Sequence, residues 1–200
     1  IASLHRTLAR FLRSNKVKVR IGARPDFNAA ASHRVFDLLL RASTSGRQTD
    51  KEFVANLRAR KRLVAGDDGK RARMLRGVTL SHRDWLQLDE IRHRICWQWH
   101  EFFQHYDLLL APVTVSAATH HDQTPPYQRS VPVDGVMRPF MNQVSLPGYA
   151  NLAYLPSSVV PIGTNGEGLP VGIQVIGPKY GDLTCIHFAG LLEKTYRSFV

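Results

Sequence analysis

Ile1, Leu4, Leu8, Phe11 and Leu12 recur at steps of three or four, so the chain opens on an amphipathic helix. Val17 to Ile21 alternates apolar and charged side chains, the pattern of a half-buried strand, and Gly22 and Pro25 break it. Asn28 stands at a cap position before a second helix, which runs to about Leu40 and is rich in Val35, Phe36, Leu38 and Leu39. Ser43 to Gly46 is a loop. Asp50 is the expected cap of a third helix that reaches about Val64, and Ala65 to Gly69 is a turn. The longest helix starts at Ser81, which stands at capping-box spacing from Asp84. Leu88, Ile91, Ile95, Trp99, Phe102 and Tyr106 then form a core-facing stripe about six turns long.

Asp107 to Ala111 is a short apolar strand that Pro112 stops. Residues 113–138 form a long loop with Pro125, Pro126, Pro132 and Gly135, and loops of that length are commonly functional or disordered. A short helix near 139–146, a strand pair within 157–176 and a helix from Asp182 to about Tyr196 complete the pattern. Between the paired strands, Gly163 to Gly168 predicts a β-turn in which Asn165-Gly166 tolerates positive φ. Apolar strands interleaved with helices predict an α/β fold, a mixed sheet flanked by helices. The strands at 107–111 and 157–176 are apolar enough to be covered on both faces.

Composition changes this picture little. The chain has 200 residues, 44% hydrophobic and 22% charged, enough for one domain with a real core. No apolar run approaches the roughly 20 residues of a membrane span. The start at Ile1 has no initiator Met and no signal-peptide layout, as for a chain entered within a helix. Cys96 and Cys185 lie far apart in sequence and are expected as free thiols in a reducing compartment, the cytoplasm. The net charge of +11 is uneven: residues 1–25 hold seven Lys/Arg and no acid, and residues 58–76 hold eight against Asp67 and Asp68. With no recognition module and no aromatics interleaved, these stretches are expected as solvated helical faces, and neither nucleic acid nor a membrane as a partner.

Several motifs invite chemistry and fail on spacing or setting. His100 and His105 are five apart, which turns the second about 140° away from the first, so they do not match a zinc helix. His120-His121 sits in a loop where adjacent side chains diverge. The Gly163–Gly168 turn lacks the Lys-Ser/Thr of a phosphate loop and leads into a strand. Ser157-Ser158 enters an apolar strand with no glycine beside it and no Lys nearby in sequence to act as base.

Leu155 to Asp182, with Gly168-Leu-Pro-Val-Gly-Ile-Gln-Val-Ile-Gly177 at its centre, resembles the C-terminal end of the amidase signature family. The helix 82–105 running into Tyr106 to Val113, the segment Ala150 to Pro156 and the final helix with Ala189, Leu192 and Glu193 extend the resemblance over 82–200. Residues 1–81 fit more weakly, as preceding helices and one strand, within one partial domain of residues 1–200. The sequence departs from the family pattern twice: Tyr154 stands where glycine is usual, and Val113 where Thr is common. The resemblance implies the C-terminal part of the amidase signature fold. It implies hydrolysis of a linear amide by a Ser nucleophile, a second Ser in a cis peptide and a Lys base, without metal or organic cofactor. Those catalytic groups belong to an N-terminal half that the sequence does not match, so no residue here inherits a catalytic role. That missing half and a small amide substrate are the implied partners of the complete protein. Pro112, Phe140, Val144 and Tyr149 are the implied wall of the acyl pocket, with core packing as the equal alternative. Two other readings stay open: part of the amide-hydrolysing subunit of a tRNA-dependent amidotransferase, and a non-catalytic basic binding module.

Overall fold

The computed structural model describes residues 1–126 and 128–196. They form seven α-helices, two 3-10 turns and two small antiparallel sheets, an α/β chain as expected. The chain divides into two compact units, residues 1–26 with 99–200, and residues 27–98.

In the first unit, α1 (Ala2–Ser14) buries Leu8, Ala9 and Leu12, the face that the apolar steps marked. Val17 to Arg20 forms no strand. Val17 is exposed and the Arg13 guanidinium donates to the Val19 carbonyl at 3.0 Å, so a side chain occupies the group that a neighbouring strand would need. The end of the long helix brings Trp99, Phe102, Phe103 and Tyr106 together, with ring centroids 4.6–5.8 Å apart. Beyond it come β1 (Leu109–Pro112), β2 (Ser130–Val133) and β3 (Val136–Pro139), then a 3-10 turn (Phe140–Val144) and α6 (Ser145–Leu152). β4 (Ser157–Thr164), β5 (Pro170–Ile176) and α7 (Asp182–Thr195) follow. The hairpin of β2 and β3 falls inside the expected long loop. Its turn places Asp134 and Gly135 at positive φ, the geometry two-residue hairpins favour.

The principal sheet has the order β1-β5-β4, both pairs antiparallel. The expected strand pair is present, with a bulge between Pro161 and Gly163. Leu8 and Leu12 of α1, Val160 and Ile162 of β4, Val171, Ile173 and Val175 of β5, and Cys185 and Leu192 of α7 make one buried cluster. Period-two alternation sends those strand side chains to one face of the sheet. Along β4 the second face is open, the exposed apolar surface expected where few strands flank the sheet. Val159, on the opposite face, is 59% exposed.

In the second unit, α2 (Ala29–Thr44) is capped by Asn28, whose side chain accepts from the Ala31 N–H at 2.9 Å. Its buried Ser32, Val35, Phe36 and Leu39 meet α4 (Lys70–Val78), which buries Ala72, Leu75 and Gly77. A Cβ at Gly77 would lie 2.6 Å from the Arg41 Cβ, so this helix pair needs glycine there. α3 (Asp50–Arg60) ends four residues before the expected limit, and its cap is Thr49 rather than Asp50. Thr49 and Glu52 form a reciprocal capping box, a pairing stronger than a lone Asp at the first helical position. α5 (His82–Phe102) begins where expected, with the Asp84 N–H donating to Ser81 Oγ at 3.1 Å. Ile91 of the predicted stripe is exposed, and the side chain of Arg92, ion-paired with Asp89, is the more buried one at that level. Neither Cys96 nor Cys185 is in a disulfide among the described residues.

Candidate functional site

β1 ends at Pro112, which pairs with Ile173 of β5, and the chain then turns away from the sheet. Gln174 anchors that departure. Its buried side chain donates from Nε2 to the Pro112 carbonyl at 2.8 Å, and its Oε1 accepts from Ser157 Oγ at 3.3 Å. One amide therefore ties β1, β4 and β5 together at the mouth of the sheet.

The segment after Pro112 is held as firmly. The Val115 and Ser116 N–H groups both donate to Oε1 of Gln143, at 3.1 and 3.4 Å, and Gln143 Nε2 donates to Ser116 Oγ. Thr114 Oγ1 donates to the Ser116 carbonyl at 2.7 Å, and Ser116 Oγ to the Ala117 carbonyl at 2.9 Å. A loop with its polar groups so thoroughly paired is a formed wall. It faces the start of β5 across a small pocket of about 70 Å³, lined by Ile1, Pro112, Val113, Thr114, Ser116 and Gly172 among others. Gly172 keeps that floor thin: a Cβ there would lie 3.1 Å from Val159 Cγ1 and 3.5 Å from Val113 Cγ2.

Of the four wall residues expected from sequence, Pro112 lines this pocket and the other three do not. Phe140 lies under the Arg129 guanidinium, 5.3 Å from its ring centroid, and Val144 is exposed at the end of the 3-10 turn. Tyr149 is half-buried on α6. The residues that sequence reasoning passed over are Gln143, Thr114, Ser116 and Gln174. Loop length alone pointed to the region; the pairing of Gln143 with a segment 27 residues away had no local signal.

Ser157 and Ser158 open β4, with the Ser157 hydroxyl engaged by Gln174, and strand geometry offers neither a nest of free N–H groups. His100 and His105 are exposed around the end of α5, and His120 and His121 are exposed in the loop. Positive φ falls at Gly163, on the bulge of β4, and at Gly168 in the turn before β5. Asn165 organises that turn, its Oδ1 accepting from the N–H groups of Glu167 and Leu169 at 3.0 and 2.9 Å. Burial, aided by the charge of Asp182, pushes the Cys185 thiol above its ordinary range, so it is a packing group rather than a nucleophile.

Residues 17–186 match the amidase family model. A glutamyl-tRNA(Gln) amidotransferase subunit of Wolinella succinogenes is 31% identical over 154 residues, 74% of this chain and 32% of that protein. Indoleacetamide hydrolase of Bradyrhizobium japonicum is 31% identical over 116 residues, 58% of this chain and 23% of that protein. A crystal structure of an amidase superposes with a TM-score of 0.71 at 19% identity, over 98% of this chain and 42% of the other. The chain thus spans about a third or less of these two curated relatives. With the family match covering most of its length, the chain belongs to the amidase signature family.

Proposed function

We propose that this chain is the C-terminal portion of a serine amidase that hydrolyses linear carboxamides, and that it supplies part of the sheet and one wall of the acyl pocket. The observation that carries this reading is the pocket at the end of β1. It has a floor at Gly172 and a wall fixed by Gln143, and the hydroxyls that line it, Thr114 and Ser116, donate to backbone carbonyls. In the reading by resemblance, the nucleophilic Ser of a Ser–cis-Ser–Lys set attacks the amide carbonyl, an oxyanion forms against backbone N–H groups, the amine leaves with a relayed proton, and water then hydrolyses the acyl-serine to the acid. Those groups would come from the remainder of the longer protein, with Pro112, Phe140, Val144 and Tyr149 on the acyl side. The exposed surface supports such a docking. β1 and β4 are both edge strands, Val159 is open on one sheet face, and α7 exposes Leu183, Ile186 and Leu191. A cytoplasmic setting would keep Cys96 and Cys185 reduced.

The test is ammonia release from aliphatic and aromatic primary amides, by the chain alone and by the chain with a separately expressed upstream segment. Activity only in the mixture is expected. Turnover by the chain alone that vanishes in Ser158→Ala refutes the assignment and promotes Ser157-Ser158. The similarity to a glutamyl-tRNA(Gln) amidotransferase favours a second reading, in which amide hydrolysis serves tRNA-dependent transfer. Glutamine hydrolysis stimulated by tRNA and partner subunits distinguishes it.

A further inference from the structure

α3 is an eleven-residue helix with no fully buried side chain, and polar ties join its inward face, where Leu57 and Ala59 are half-buried, to the rest of the unit. Asn56 Nδ2 donates to Gln48 Oε1 at 2.6 Å, and the Arg60 guanidinium donates to the Thr79 carbonyl at 2.7 Å and pairs with Asp84 at 3.2 Å. On the other side, Lys51, Val54 and Arg58 follow at i, i+3 and i+7, and the stripe continues into Lys61, which still has helical dihedrals. Arg62, then Val64 at 75% exposure, carry it into the turn, and Lys70 and Arg71 open α4 beyond it. Lys51, Arg58, Lys61, Arg62, Lys70 and Arg71 are largely exposed, and none has an ion pair among the described residues. Of the acids nearby, Asp68 pairs with Arg34, Asp84 with Arg60, Glu52 closes the capping box and Asp67 accepts from the Gly69 N–H, while Asp50 is exposed beside Lys51 and the surface stays positive on balance.

We infer that the outer face of α3 and the turn after it form a docking surface for an anionic lipid bilayer. The cations are complementary to a layer of phosphate headgroups, and a polyanion of any kind would satisfy them. The apolar members decide between polyanions. Val54 and Val64 are exposed amid the cations, with Phe53 beside them. Aliphatic tips and a ring among basic side chains enter the boundary between headgroups and acyl chains, whereas a nucleic-acid backbone offers the aliphatic tips no matching surface. A second copy of this chain would bring like charge against like. No helix among the described residues is long and apolar enough to cross a membrane, and surface attachment requires none.

The test is co-sedimentation of the full chain with vesicles of roughly 30% phosphatidylglycerol in phosphatidylcholine, and with pure phosphatidylcholine. Binding to the anionic vesicles alone is expected, with loss as salt rises from about 50 mM to about 500 mM. Lys61→Glu with Arg62→Glu should lower partitioning about tenfold or more. Lys18→Glu with Arg20→Glu changes net charge equally in the other unit, at exposed positions, and should lower it far less. Val64→Ser keeps the charge and should lower it a few-fold. Equal losses from the two double variants would reduce the effect to overall charge and overturn the proposal. An unchanged Val64→Ser would overturn it as well, and so would a short RNA duplex that strips the chain from the vesicles. Circular dichroism melts of all variants confirm that only exposed side chains were altered.

Discussion

Gly177→Ala should destabilise the first unit, and the damage should be recovered by a change at Cys185. Gly177 follows β5, and its N–H donates to the Pro156 carbonyl at 3.1 Å. A Cβ on it would stand 2.6 Å from the Cys185 sulfur and 3.5 Å from Leu108 Cδ2. Cys185 is completely buried on α7, within the cluster that joins α1, β4, β5 and α7, so the sulfur has no free direction in which to move. Overpacking by one methyl in such a place costs about 1–3 kcal/mol. Cys185→Ala alone removes the sulfur and leaves a small void, at about 1 kcal/mol or somewhat more. It costs no backbone pairing, because the Gly177 N–H still satisfies the Pro156 carbonyl. In the double variant the new methyl occupies the space the sulfur left, so the two costs should cancel in part, with a coupling of about 1–2 kcal/mol. Urea unfolding of the four proteins, followed by tryptophan emission and far-ultraviolet dichroism, measures the cycle. Strict additivity would show that α7 moves away freely and would refute the claim that Gly177 is required by a rigid neighbour.

Gly172→Val should lower soluble yield and melting temperature far more than Gly166→Ala, because position 172 is closed by Val159, Val160 and Val113 while nothing lies within 4 Å of a Cβ at 166. Equal effects in parallel melts would contradict this. Acidification should cost stability. Burial holds the His5 and His33 imidazoles below their ordinary 6.5, so the unfolded chain takes up protons more readily. The stabilisation is present above about pH 6.5 and is lost as pH falls through the lower folded values, and His33→Gln should flatten that decline in denaturant titrations between pH 7.5 and 5. Tyr154→Gly should stabilise the chain by about 0.5–1 kcal/mol in the same assay, because it relieves a side chain held at positive φ.

Much of the framework was legible because it is local. Asn28 and Ser81 each present an oxygen that accepts from the first turn of the helix they precede, and the apolar steps of α1 and the alternation of β4 and β5 mark their buried faces. Misses arose where a distant or reciprocal partner overrode the local pattern. Val17 to Ile21 has strand alternation, but a strand needs a neighbour, and Arg13 already occupies the Val19 carbonyl. Thr49 displaced Asp50 as cap because Glu52 lies three residues beyond it and closes the box. At the candidate site the sequence pointed to Pro112 and to the loop after it. Gln143 and Gln174 carried no such signal, since each acts through hydrogen bonds to backbone far away in sequence.

Tyr154 joins the two levels. By its resemblance to the family the sequence has Tyr154 where a glycine is expected, which from sequence alone means added bulk near a turn. Its φ of +56° gives the substitution a physical meaning: the residue closing α6 sits in the left-handed region. The Leu155 N–H reaches back to the Ala150 carbonyl at 3.0 Å, a link that fixes how the chain leaves the helix for β4. That conformation costs a residue with a Cβ about 1–2 kcal/mol, and glycine's extra freedom in the unfolded chain returns about half of it. The balance is the modest gain expected for Tyr154→Gly. The ring itself is more than half exposed, so its contacts offset little of the strain. The chain therefore keeps a turn that glycine would make easily, at some cost to itself. A destabilised Tyr154→Gly would mean that the ring's remaining contacts outweigh the backbone strain, and would assign the tyrosine a packing role at the head of β4.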